Sequence, residues 1–145
     1  MRSTITVCLT LMIILGVSAV ASAAMPEMPK EIVVKCEKEA PLNQKDVDAF
    51  IKMWPEIMKG GDKSEAEAKK FFAGHGFTEV RATFVIMKIN NARMMTEAVK
   101  ATGDKAMATQ LLLGMGMPKV FLPSDAESAL VEKNAARLNA LEGFS

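Results

Sequence analysis

The chain has 145 residues, half of them hydrophobic, with 18 basic and 17 acidic side chains. Its formal charge of +1 argues against nucleic acid and anionic lipid as partners, since both need a basic surface that displaces counterions. Of two cysteines only Cys36 lies outside the N-terminal apolar run, which excludes a disulfide framework and leaves packing to hold the fold.

Arg2 leads into an uncharged run from Ser3 to Pro26 whose apolar centre is Val7 to Leu15. That order is a basic n-region followed by an h-region. Ala21-Ser22-Ala23 fits the small-x-small pattern of signal peptidase, which predicts cleavage after Ala23 and a secreted chain with no stable membrane span. The alternative is an uncleaved anchor, since the run is long enough to span a bilayer. Processing would remove Arg2 alone among charged residues, so the mature chain balances 17 basic against 17 acidic side chains.

Residues 24–42 carry Pro26, Pro29 and Pro41 and read as an extended leader, with at most a strand-like piece at Ile32-Val33-Val34. The remainder, 43–145, is helical in its periodicity. Asn43 is an N-cap for a helix that buries Val47, Phe50, Ile51, Trp54 and Ile57, kinked at Pro55 and stopped at Gly60-Gly61. Ser64 and Glu67 form a capping box for a second helix, which ends at Gly74-His75-Gly76. Thr78 caps the longest helix, about Glu79 to Thr102, closed by Gly103. A fourth runs from Asp104 to about Leu113 with Met107, Leu111 and Leu112 inward, and a fifth from the Ser124/Glu127 box to about Leu141. Five helices with short connections predict an all-α, single compact irregular bundle.

A Gly-His-Gly-Phe turn before a long helix, then Pro-Ser-x-x-Glu opening a C-terminal helix that ends Leu-Asn-Ala-Leu, resembles small secreted bacterial proteins of uncharacterised families. The resemblance covers mainly Phe71 to Phe144. It implies a Gram-negative periplasm and no particular activity or site residue.

Candidate chemistry is sparse. His75, the sole histidine, lacks companions at ligand spacing and reads first as a turn residue, second as a ligand contact. Met25-x-x-Met28 and Met115-x-Met117 have the spacing of thioethers presented to Cu(I), although most other methionines fall on apolar helix faces where they fill gaps. Arg81 and Lys88, one heptad apart, would mark a pocket for an acidic ligand with Asn91, or else snorkel to water or a neighbouring Glu. Trp54 is a core residue by its period, and a ligand contact if exposed beside Pro55. Cys36, flanked by Lys35 and Lys38, is either a reactive thiol or a buried one.

These features rank three functions. The first is a non-enzymatic cell-envelope binding or interaction protein whose Met/Phe-rich apolar surface meets a protein, peptide or apolar small molecule. The second is a small-molecule or Cu(I) carrier using Met25, Met28, Met115 and Met117. The third is an enzyme built around Arg81, Lys88 and His75. No cofactor is implied.

Overall fold

The computed structural model describes residues 28–61 and 63–144. The expected signal segment and cleavage site, and Met25, lie outside the described residues. Among these the chain forms seven α-helices and no strand: α1 (Lys30–Cys36), α2 (Gln44–Lys59), α3 (Glu65–Gly74), α4 (Glu79–Thr102), α5 (Lys105–Gly114), α6 (Asp125–Lys133) and α7 (Ala135–Asn139). A 3-10 turn at Lys119–Phe121 joins α5 to α6.

The helix starts follow local hydrogen-bond chemistry. Asn43, Ser64, Thr78, Asp104 and Ser124 each accept a backbone N–H of the first turn, and the first, second and last complete reciprocal capping boxes. Gly103 takes the left-handed conformation, φ +71°, and so lets the chain reverse from α4 into α5.

α4 is the axis of the molecule. It packs against α1, α2, α3, α5, the 3-10 turn and α6, and every residue from Ala82 to Ile89 is buried. A helix enclosed on all sides must bury its polar positions too, which decides the fate of Lys88 and Asn91. At one end Phe50, Trp54 and Phe144 pack with ring centroids 5.0 to 5.3 Å apart, and the indole Nε1 donates to the Glu142 carbonyl.

Three expectations change. Residues 30–36 are helical, because Ile32, Val33 and Cys36 turn one face onto the core and packing overrides the β-branched preference. α2 includes Pro55 and stops at Lys59 with Gly60 as its C-cap, where the sequence reading ends it, its proline on the exposed side while Trp54 and Ile57 stay buried. On α5 the inward pair is Ala108 and Leu112, whereas Met107 and Leu111 are 54% and 53% exposed. The small Ala108 lets α5 approach α4 closely, which a methionine in its place would prevent. The C-terminal helix breaks at Asn134, whose side-chain amide exchanges two hydrogen bonds of 3.1 Å with that of Gln44.

Candidate functional site

Lys88, Arg81 and Asn91 find their partners inside the chain. The Lys88 ammonium lies 2.8 Å from a Glu127 carboxylate oxygen and 2.8 Å from the Leu122 carbonyl. Glu127 accepts two further bonds, from the Leu42 and Ser124 backbone amides at 3.0 and 2.8 Å. Burial pushes this carboxyl up, but the Lys88 ammonium and the two amides outweigh it and hold it below the ordinary value. Arg81 donates to Asp46 and Glu39 and to the carbonyls of Ala40 and Pro41, so it clamps the loop that feeds α2. Both cations also flank the Phe84 ring, at 5.1 and 5.2 Å from its centroid. Asn91 donates to the Phe121 carbonyl at 3.1 Å. The anions these groups need are Glu127 and Asp46, so the three residues join segments of the chain.

The other candidates also pack against the rest of the chain, to different depths. Trp54 is 1% exposed and belongs to the core. His75 caps α3, stacks edgewise on Phe71 and places Nε2 3.4 Å from the Glu56 carboxylate. Cys36 is 1% exposed, and its Sγ donates to the Val80 carbonyl at 3.8 Å. A reagent must open α1 to reach that thiol. Met117 is buried, while Met28 and Met115 are half-buried and pack against the core. Among the described residues no three His, Cys, Asp or Glu side chains gather around a metal-sized site.

A groove of about 380 Å³ stands open between α4 and α6, closed at one edge by the start of α5. Met95 and Val99, one turn apart on α4, form an apolar floor. The α6 wall is small in the middle, Ser128 and Ala129, with Asp125 and Glu132 a turn to either side. Lys100 and Lys105 supply the opposite charge, and Lys105 is ion-paired with Asp125 across the edge. That pair is more than half exposed at both ends, so it contributes little and opens readily.

The sequence holds a signal for this site that periodicity alone leaves unread. Asp125, Ser128, Ala129 and Glu132 follow i, i+3, i+4, i+7, a helix face that is small at its centre and acidic at its ends. Glu127 stands one position off that face, and its pairing with Lys88 across 39 residues depends on tertiary structure. The chain matches no family model, no curated protein and no solved structure.

Proposed function

We propose that the chain is a non-enzymatic interaction protein of the cell envelope, and that the groove between α4 and α6 seats an apolar helical segment of a partner. The observation that carries this reading is the groove itself: an apolar floor of Met95 and Val99 beside a wall of small residues, left open at the surface. Small wall residues allow two helix axes to approach, and an amphipathic helix laid in such a cleft gives up its apolar face to the floor. A thioether floor adapts to side chains of different shape. Charges of both signs at the rim favour a peptide, which carries several charges along its length, over a ligand with a single headgroup. The envelope assignment draws on the N-terminal run of residues 1–23.

The test is an NMR titration of isotope-labelled protein with a short synthetic amphipathic helix bearing leucines at i and i+4. Shifts centred on the amides of Met95, Val99, Ser128 and Ala129 support the groove. Absence of binding, or shifts confined to another face, overturns it.

A further inference from the structure

The sulfur atoms of the described residues are sorted by depth. Met53, Met87, Met95 and Met117 are buried, and Met28, Met58, Met94 and Met115 are half-buried. The Cys36 thiol lies on a residue that is 1% exposed. Met107 is the exposed one among them, at 54%. It owes this position to the docking of α5: Ala108 and Leu112 are buried, so the thioether one position earlier is left on the outer face beside Leu111, one turn on.

We propose that Met107 is a modification site for peroxide oxidants, taking one oxygen at sulfur before any other thioether or thiol of the described residues. A lone pair of the Met107 sulfur attacks one peroxide oxygen, the O–O bond breaks and the sulfur–oxygen bond of the sulfoxide forms. With hydrogen peroxide the departing oxygen takes up the proton of the transferred one and leaves as water. The thioether is oxidised and the peroxide is reduced by the same electron pair. The order follows from access, because the oxidant must touch the sulfur itself and burial keeps it away.

The consequence is local. A sulfoxide disrupts a core when it forms inside one, whereas more than half of Met107 already meets water in the folded chain. Oxidation there puts a strong hydrogen-bond acceptor beside Leu111 and leaves the packing of α5 on α4 untouched. Met95, on the groove floor, is 5% exposed and keeps its thioether.

The experiment is a time course of the folded chain in dilute hydrogen peroxide, read by peptide mapping with mass spectrometry, beside the same chain in urea. Met107 should gain its oxygen about ten-fold faster than Met53, Met87, Met95 and Met117 in the folded chain. In urea the rates should converge, since burial no longer separates the sites. Protein oxidised at Met107 should keep the thermal transition of the parent. A faster first oxygen on another described methionine or on Cys36 overturns the proposal. So does a lead of Met107 that persists in urea, which would come from its neighbours in sequence and not from the fold. A thermal transition lowered by the Met107 oxygen overturns it as well, because that sulfur would then be part of the packing.

Discussion

Two carboxylates with opposite surroundings shift in opposite directions in this fold. Glu127 is 3% exposed and receives three hydrogen bonds, one from an ammonium, so removing it leaves Lys88 buried without its anion. Glu127→Ala should cost about 3–5 kcal/mol, the range for breaking one partner of a buried pair, measured by urea unfolding against the parent. Because the folded carboxyl lies below its ordinary 4.5, the stability it supplies is complete above that value and is lost as pH falls through the lower folded value. The gap between parent and Glu127→Ala should therefore close in acid, and a gap that stays constant would show the pair to be uncharged or exposed. Glu79 runs the other way. Its Oε1 is buried with no hydrogen-bond partner among the described residues, and burial, only partly offset by Lys69, raises its carboxyl above the ordinary 4.5. A raised carboxyl costs stability once the folded group ionises and costs nothing below the unfolded value. Glu79→Gln should accordingly be more stable than the parent at neutral pH, with the advantage fading in acid. The same unfolding series reads both variants.

At the scale of elements, α1 is a short piece held by a few side chains. Seven residues long and without a side-chain N-cap, it depends on Ile32, Val33 and Cys36 against the core. Such elements open locally without global unfolding. The Cys36 thiol should resist a thiol-specific reagent in the native protein and react at once in denaturant. Ile32→Ala should speed the native reaction several-fold while leaving the unfolding midpoint of the remainder nearly unchanged. Native reaction at the denatured rate would mean that α1 is undocked. This helix also marks where sequence reading stops. Asn43, Ser64, Thr78 and Ser124 announce their helices because a cap is a bond between near neighbours. Ile32-Val33-Val34 looks like strand because its helical state comes from α4, far away in sequence. On α5 the pairs Met107/Leu111 and Ala108/Leu112 share the same spacing, and only the approach of α4 decides which pair turns inward. The groove was hidden for the same reason: its floor and wall are 26 or more residues apart, from Val99 to Asp125 at the nearest, and no local rule joins them.

The whole molecule is closed by its C-terminus. Phe144 packs edgewise on Phe50 and Trp54, with centroids 5.2 and 5.0 Å away, and the Arg93 guanidinium lies 4.3 Å over its outer face while donating to its carbonyl. The Glu142 carbonyl accepts the indole N–H at 3.0 Å. These last residues have no regular helix of their own beyond Asn139, so their order comes from the aromatic cluster they cover. Removing residues 140–145 should uncover one side of Trp54 and leave its N–H without the Glu142 carbonyl. Loss of a buried aromatic contact of this size costs about 3 kcal/mol or more, and the unsatisfied indole adds to it. Trp54 is the only tryptophan in the chain, so its emission reports on this one place. Truncation should shift that emission to the red in the folded state and lower the urea midpoint. Phe144→Ala in the full chain should move both readouts in the same direction by a smaller amount, because Glu142 still holds the indole. Unchanged emission in the truncated protein would mean that Trp54 is sealed by α2 and α4 alone, and that the C-terminal segment merely rests on a core already closed.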